Sequence, residues 1–225
     1  METTSPQPQL MSEAKPIAME GEQTPFAGVT TYYADPGFLE HIGSFWKEIS
    51  PPTADCPEPN LWEMEDPASV EIEVRELLFA LVRALKPKVI LETGTFRGSS
   101  ANRMAEACDA NGFGVVITCD PVKVWQKTLH PRVQYHQTSS LDLMISLPID
   151  LLFLDSEDKI RPLEVERFSA LLHSRSVIVI HDTGGMHPEL GKSVLSLQEQ
   201  GLIHGVFLPT PRGLFVGRLT TSRWR

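Results

Sequence analysis

The sequence lacks any long apolar run. None of its hydrophobic stretches reaches the roughly 18 residues that a helix needs to cross a bilayer, although 41% of the 225 residues are hydrophobic. The N-terminal stretch also lacks the cationic start and apolar core of a signal peptide. We therefore expect a cytoplasmic protein without a membrane anchor. A chain of 225 residues is long enough for one well-buried α/β domain and short for two.

Cysteines are few, and the net charge is negative. Cys56, Cys108 and Cys119 are the three cysteines, and they form no C-x-x-C pair, which argues against a disulfide framework and against a zinc knuckle. The formal net charge is −9. Binding to a nucleic-acid backbone needs a basic surface that displaces counterions, so we expect no nucleic-acid partner.

The N-terminal part divides into a tail and two amphipathic helices. Residues 1–26 are rich in Pro, Thr, Gln and Glu, a composition that favours disorder, so we place the folded domain at residues 27–225. An Asp-Pro pair, typical of a helix start, occurs at Asp35 and again at Asp66. We expect the first helix, which carries Phe38 and Trp46, to cover the mouth of a pocket.

The remaining chain alternates between strand-like and helix-like segments. Strand-like runs occur at 88–93, 114–120, 132–138, 149–155 and 176–182. All except 132–138 are largely apolar, as in parallel strands that are covered on both faces. Helices are predicted at 99–110 and 162–173. The last two runs, LIHGVFLPT and GLFVGRL, are separated by a tight connection and predict an antiparallel pair. The adjoining PTPRG turn is expected to expose Arg212.

The turn after the first strand lacks one glycine of a dinucleotide-binding motif. In ETGTFRG, Gly94 and Gly98 permit a close approach of the main chain, but Thr95 to Arg97 stand where G-x-G-x-x-G has its second glycine. We therefore expect a ligand without a pyrophosphate, which makes a dehydrogenase the least favoured function. A purely structural strand-to-helix turn would also explain these residues.

Asp120 ends the second strand and is the next candidate. A carboxylate at this place faces the same crevice as the glycine turn and can accept hydrogen bonds from both hydroxyls of a ribose. The alternative is a local role, in which Asp120 caps the segment that follows it.

Six segments follow one another along the chain: VILETGTFRGSS, VVITCDPV, HQTSSLDL, IDLLFLDSED, SVIVIHDTG and FLPTPRGLFVGR. In order and spacing they resemble the successive motifs of class I methyltransferases that use S-adenosylmethionine (SAM). The resemblance is closest to the small-molecule O-methyltransferase branch and covers about residues 67–221. It implies an α/β fold with a Rossmann-like, seven-stranded, mostly parallel sheet of order 3-2-1-4-5-7-6, a C-terminal antiparallel hairpin and N-terminal capping helices.

The resemblance also implies a cofactor site for SAM, whose demethylated product is S-adenosylhomocysteine (SAH). The methionine part would be bordered by four residues of the turn, the ribose held by Asp120, and the adenine met by three residues after the third strand. Asp155 would lie at the same cofactor site. The four turn residues are Glu92, Gly94, Thr95 and Gly98, and the adenine residues are Ser139, Ser140 and Leu141.

The resemblance places the reaction centre at the ends of strands 4 and 5. In metal-dependent members of this branch, an Asp after strand 4 and an Asp-Asn or Asp-Asp pair after strand 5 bind a divalent cation. Asp155 matches the first position, and His181-Asp182 stands at the second. Histidine there favours either a softer metal than magnesium or a catalytic base without metal. Alternatively, Asp155 and Asp182 line the pocket without touching substrate. His187 could join Asp155, His181 and Asp182 as a further residue of the site.

The function implied is O-methylation of a small, natural-product-like hydroxyl compound. Two alternatives stay open: an enzyme that transfers a different part of an adenosyl ligand, such as an aminopropyl group, and an inactive SAM-binding module. Assembly into a homo-oligomer is also left open.

Overall fold

The computed structural model describes residues 52–66, 68–124, 128–185 and 187–220. The tail at 1–26 and the helix expected around Phe38 to Trp46 lie outside the described residues, so the proposed division at residue 26 stays a prediction. Within the described residues no helix is long and apolar enough to cross a membrane. The helices are α1 (Ile72–Leu85), α2 (Ser99–Asn111), α3 (Arg161–Phe168) and α4 (Pro188–Glu199), with 3-10 turns at Pro59–Leu61 and Ser169–Leu171.

The described residues form one seven-stranded sheet, whose order β3-β2-β1-β4-β5-β7-β6 confirms the predicted topology. Strands β1 to β5 pair in parallel, and β7 runs antiparallel to both β5 and β6. The strands are β1 (Val89–Thr93), β2 (Val115–Cys119), β3 (Val133–His136), β4 (Ile149–Leu154), β5 (Leu172–His181), β6 (Ile203–Leu208) and β7 (Leu214–Leu219).

Among the described residues, two helices cover each face of the sheet, which explains why the central strands are largely apolar. Helices α1 and α2 bury Leu78 and Met104 against Ile90 and Phe153. On the opposite face, Phe168 of α3 and residues of α4 pack into a second core. Alternate residues of each strand serve the two cores, as the period of a strand requires.

Three predicted boundaries were wrong. Helix α1 begins at Ile72 rather than at the Asp66-Pro67 pair, because the Asp66 carboxylate accepts the main-chain N–H groups of Ala68 and Ser69 and closes a local turn. Helix α3 ends at Phe168, and β5 already begins at Leu172. Helix α4 was not predicted at all.

The topology brings the carboxyl ends of four neighbouring strands to one edge of the sheet. Strand β1 lies between β2 and β4, and β4 lies beside β5. Directly after β4, the Asp155 N–H donates to the Thr93 carbonyl at the end of β1, with a length of 3.0 Å. This edge is where ligands bind in open α/β sheets, and it carries most of the residues that the sequence singles out.

Candidate active site

The turn after β1 depends on Gly94. Its φ of +84° is left-handed, and a Cβ at this position would lie 2.1 Å from the Asp155 carbonyl oxygen. Real Cβ atoms do not come this close, so only glycine allows the turn to pack against the chain that leaves β4. Gly98 also has a positive φ of +76° and precedes α2.

A pocket opens beside this turn. Residues 94–97, 68–70, Ser99, Ser100 and Asp155 line it. Phe96 has a φ of +42°, a conformation that bulky residues rarely adopt and that often marks a functional turn. Thr95 is buried, with its hydroxyl oxygen 2.7 Å from that of Thr118.

Glu92 lies behind the pocket wall rather than among the residues that line it. Its carboxylate accepts hydrogen bonds from the hydroxyls of Ser100, at 2.5 Å, and Thr118, at 2.6 Å. Burial raises the pKa of Glu92 to about 8, against the opposing effect of these two bonds. Glu92 therefore adjoins the pocket through Ser100, which does line it, and the cofactor contact that the resemblance implies for Glu92 stays a prediction.

Asp120 joins the end of β2 to the glycine turn. One carboxylate oxygen accepts the Phe96 N–H at 3.0 Å, and the other accepts the Val122 N–H at 2.9 Å. The bond from Val122 corresponds to the local capping role, whereas the bond from Phe96 ties Asp120 to the pocket. Each carboxylate oxygen can accept more than one hydrogen bond, so both oxygens retain capacity for a ligand hydroxyl.

The three residues after β3 differ in their surroundings. The Ser140 hydroxyl is buried and donates to Glu164, so it is already engaged by the protein. The Ser139 hydroxyl accepts the Leu141 N–H at 3.3 Å, and both residues are half-buried. Ser139 and Leu141 thus remain the better candidates for a contact with a ligand.

Glu164, which the sequence analysis did not single out, connects three strand ends. Its carboxylate also accepts hydrogen bonds from Thr93 at the end of β1, at 3.1 Å, and from Ser156 after β4, at 2.8 Å. Burial raises the pKa of Glu164, and the hydroxyls of Ser140, Ser156 and Thr93 oppose that rise. This buried carboxyl group fixes the loops after β1, β3 and β4 relative to one another.

The structure brings Asp155, His181 and Asp182 together. One potential ligand atom of each lies within 4.8 Å of the others. His181 Nδ1 is 3.0 Å from Asp155 Oδ1 and 3.3 Å from Asp182 Oδ1. Asp182 has a left-handed φ of +60°, which turns the chain sharply where β5 ends.

A third carboxylate, that of Glu71, completes the surroundings of His181. Glu71 directly precedes α1, and its Oε2 lies 2.6 Å from His181 Nε2. Neither side chain is exposed. Both ring nitrogens of His181 therefore face carboxylates, which is the arrangement that stabilises a doubly protonated imidazolium.

Two arginines neutralise the remaining carboxylate charge. Arg161, the first residue of α3, places Nη2 3.0 Å from Asp182 Oδ2 and 3.4 Å from Asp155 Oδ1. Arg212 places Nε 2.7 Å from Asp182 Oδ1, and its main-chain N–H donates to Glu71. Arg212 is 8% exposed, so the expectation of an exposed arginine in the PTPRG turn was wrong.

The six groups form a balanced buried network of three carboxylates and three cations. Burial acts to lower the pKa of His181, but Asp182, Asp155 and Glu71 outweigh it and raise that pKa to about 10. Burial acts to raise the pKa of Asp182 and of Glu71, yet His181 and the neighbouring arginines hold both below their ordinary values. We define these six residues as the ion network: Glu71, Asp155, Arg161, His181, Asp182 and Arg212.

The ion network affects both reaction schemes that the sequence suggested. A general base needs a free nitrogen, but both nitrogens of His181 contact carboxylates and the ring is fully buried. A resident divalent cation on Asp155, His181 and Asp182 would lie among two guanidinium groups and an imidazolium. The donor set therefore does not fit a metal ion while Arg161, which contacts both aspartates, keeps its position.

His187 lies at the outer side of the network. Its Nδ1 is 2.6 Å from Asp158 Oδ2, and its Nε2 is 3.8 Å from Asp182 Oδ1. Asp158, His187 and Asp182 also form a group of potential metal ligands. Arg161 Nη2 also lies 3.7 Å from Asp158 Oδ1. The same guanidinium therefore pairs with carboxylates of both groups of potential metal ligands.

The site lies within a recognisable domain. Residues 91–183, from β1 to the turn after β5, match the model of the family described as a methyltransferase domain. Over this segment the chain is similar to methyltransferase domains. The match spans the glycine turn, Asp120 and the reaction-centre residues, whereas Glu71 and Arg212 of the ion network lie outside it. No curated protein matches the chain significantly.

Solved structures with this methyltransferase fold are similar over most of the chain. The SAH-bound methyltransferase PaMTH1 of Podospora anserina is 17% identical, with a TM-score of 0.56, and the match covers 89% of this chain and 99% of that one. The O-methyltransferase TomG of Streptomyces achromogenes, in complex with SAM, is 19% identical over 83% of this chain and 90% of that one, with a TM-score of 0.52. An O-methyltransferase of Bacillus cereus in complex with SAH is 16% identical over 79% and 91% of the two chains, with a TM-score of 0.55.

Proposed function

We propose that this domain transfers the methyl group of SAM to a hydroxyl oxygen of a small molecule. The observation that carries the proposal is that the glycine turn after β1 packs against Asp155 after β4 at the carboxyl edge of the sheet. The turn at residues 94–97 and Asp155 line one cavity, and both lie in the segment that matches the methyltransferase domain family. The solved structures with bound SAM or SAH support the choice of cofactor.

The residues around the turn fit an adenosyl amino acid. Gly94 keeps the turn free of a side chain where it meets the β4 end, and Asp120 presents a half-buried carboxylate next to Phe96. We assign Asp120 to the ribose hydroxyls and Ser139 and Leu141 to the adenine, with Thr95 and Gly98 shaping the methionine end. When bound, SAM supplies a methyl group that is already activated by its sulfonium.

Asp155 is the residue that we assign to the acceptor hydroxyl. Of the ion network, Asp155 is the member that lines the pocket, and its side chain is 14% exposed whereas that of His181 is not exposed at all. The contacts from His181 and Arg161 both fall on Oδ1. A carboxylate held in this way can accept the hydroxyl proton while the oxygen forms its bond to the methyl carbon and the electron pair of the carbon–sulfur bond stays on sulfur.

His181 and Asp182 then serve as positioning residues. His181 holds the Asp155 carboxylate from the buried side, and Asp182 fixes Arg161 and Arg212. This assignment replaces a free histidine base by an aspartate that is oriented by an imidazolium. Proximity and orientation supply the rest of the rate enhancement, since the methyl group needs no further activation.

A product analysis tests the proposed reaction. The full chain is incubated with SAM and a panel of phenols, catechols and aliphatic alcohols, and the nucleoside and acceptor products are identified by mass spectrometry. Methyl transfer yields SAH and an acceptor that is heavier by one methylene unit. Asp155→Asn should abolish both, and Asp142→Asn, an exposed aspartate after β3, should not.

The same analysis separates the alternatives. An enzyme that transfers the aminocarboxypropyl group of SAM, or the aminopropyl group of decarboxylated SAM when that donor is added, would release methylthioadenosine instead of SAH. An inactive binding module would bind SAM without forming either product. No contact among the described residues favours one of these alternatives over methyl transfer. Formation of methylthioadenosine would overturn the proposal.

A further inference from the structure

We propose that Arg161 is an internal cation that stands in place of a divalent metal ion at the reaction centre. The inference deepens the proposed function, because it says how the carboxylates of that same site are held. In this arrangement the methyltransferase works without a resident metal, and Arg161 is a positioning residue rather than a catalytic one.

The contacts of Arg161 carry this inference. Its guanidinium donates to main-chain oxygens after two strands: Nε to the Ser156 carbonyl at 2.7 Å and Nη1 to the His181 carbonyl at 2.5 Å. Its Nη2 donates to Asp182 at 3.0 Å and to Asp155 at 3.4 Å. One buried side chain thus ties the end of β4 to the end of β5 and contacts both carboxylates.

The location of Arg161 is unusual for a cation. It is the first residue of α3, and a positive charge at a helix N-terminus is opposed by the helix dipole. A buried guanidinium also needs paired anions to offset its desolvation. The carboxylates of Asp155 and Asp182 supply these anions, so the position of Arg161 is explained by the site rather than by the helix.

A metal ion and Arg161 exclude each other here. A cation bound by Asp155 and Asp182 would repel the guanidinium that lies within 3.4 Å of both. Displacing Arg161 would in turn leave the main-chain oxygens of Ser156 and His181 without the donors they now have. Arg212 and His181 add two further positive groups on the remaining sides of Asp182.

Binding of Mn²⁺, followed by electron paramagnetic resonance on the full chain, tests the inference. Wild-type protein should show no saturable Mn²⁺ binding. Arg161→Gln removes the cation but keeps hydrogen-bonding capacity, so it should open a saturable Mn²⁺ site, and adding Asp182→Asn should abolish that site. Arg161→Lys keeps the positive charge and should not gain a Mn²⁺ site. If Arg161 had only a structural role, the Gln and Lys variants would not differ in Mn²⁺ binding.

Arg167→Gln is the matched control. Arg167 lies in the same helix, donates to the Leu143 carbonyl and is exposed, so its substitution should leave Mn²⁺ binding as in the wild type. Saturable binding by wild-type protein that Asp155→Asn or Asp182→Asn removes would overturn the inference. A folded Arg161→Gln variant without a Mn²⁺ site would overturn it as well.

Calorimetric binding of SAH on the same samples keeps the two proposals distinguishable. A wild-type chain that binds neither SAH nor Mn²⁺ would contradict the proposed cofactor and leave the inference about Arg161 standing. If Arg161→Gln fails to fold, the wild-type and Arg161→Lys titrations decide: saturable Mn²⁺ binding by the wild type contradicts the inference, and its absence from both supports it.

Discussion

Glu71 Oε2 lies 2.6 Å from His181 Nε2, although 110 positions separate the two residues in the sequence and neither side chain is exposed. The contact links the start of α1 to the end of β5. It means that a residue outside the segment similar to the methyltransferase domain family contacts the candidate reaction centre. The helix before β1 is therefore part of the site and not merely a cover for the sheet.

Glu71→Gln should destabilise the protein strongly. The substitution keeps the volume of the side chain but removes a charge that pairs with the buried His181 imidazolium, and breaking a buried pair costs about 3–5 kcal/mol. Urea denaturation followed by circular dichroism measures the change in unfolding free energy. The control is Glu106→Gln, since Glu106 is half exposed and pairs with Arg103 at the surface, where a pair contributes about 0–1 kcal/mol. Equal effects of the two substitutions would contradict the account.

The pKa of Glu92 predicts how stability depends on pH. Its folded pKa of about 8 lies above the ordinary value of 4.5, so the folded state binds more protons than the unfolded state between these values, and stability falls as pH rises through this window. His181, with a folded pKa of about 10 against 6.5, extends the fall to higher pH.

Glu92→Gln isolates the contribution of Glu92. The amide cannot ionise, so the variant should lose less stability than the wild type between pH 5 and pH 8 in urea denaturation, as expected for a buried acid with a raised pKa. Above pH 8 the two proteins should weaken in parallel, because His181 is unchanged. Identical pH profiles over the whole range would show that Glu92 does not have a raised pKa.

Gly94→Ala should disrupt the turn after β1. The new Cβ would lie 2.1 Å from the Asp155 carbonyl oxygen, and the φ of +84° is unfavourable for alanine. Gly112→Ala is a matched control, because Gly112 has a φ of +82° but no atom within 4 Å of the new Cβ. Backbone strain alone should lower the unfolding free energy of this variant by about 1–2 kcal/mol. Thermal unfolding compares the two, and a Gly94→Ala variant no less stable than Gly112→Ala would contradict the close approach.

Asp120→Ala should weaken SAH binding by about 1–3 kcal/mol, the range expected when hydrogen bonds to a buried polar ligand are lost. Part of the loss arises because the variant also lacks the hydrogen bond that the Phe96 N–H donates to Asp120. Isothermal titration calorimetry gives the affinity. Asp142→Ala, an exposed aspartate after β3, is the control and should bind SAH like the wild type. An unchanged affinity in Asp120→Ala would remove Asp120 from the cofactor site.

Local patterns predicted most of the fold. The apolar runs of β1, β4 and β5 identify strands that are covered on both faces, because such strands need no polar side. The strand order came instead from the resemblance to a family. Helix α4 was missed, although Leu190, Val194 and Leu197 recur at helical spacing and Pro188 stands at its first position, so the signal was present.

The reaction centre was predictable only in part. Asp155, His181 and Asp182 end neighbouring strands, and a parallel sheet necessarily brings such ends together. Arg161 and Glu71 left no comparable signal, since a charged residue next to a helix start is common in any protein. Arg212 was expected to be exposed because it lies in a turn, but its attraction to Asp182 draws it into the interior.

Calorimetric titration of the wild-type full chain with SAH, and separately with NAD⁺, tests the central claim most directly. The pocket beside Gly94 and Asp155 should give saturable binding of SAH with one site per chain. NAD⁺ should not bind, because a pyrophosphate needs a second glycine in the turn, where this chain has Thr95 and Phe96. Binding of NAD⁺ in place of SAH would contradict the assignment of this domain as a SAM-dependent methyltransferase.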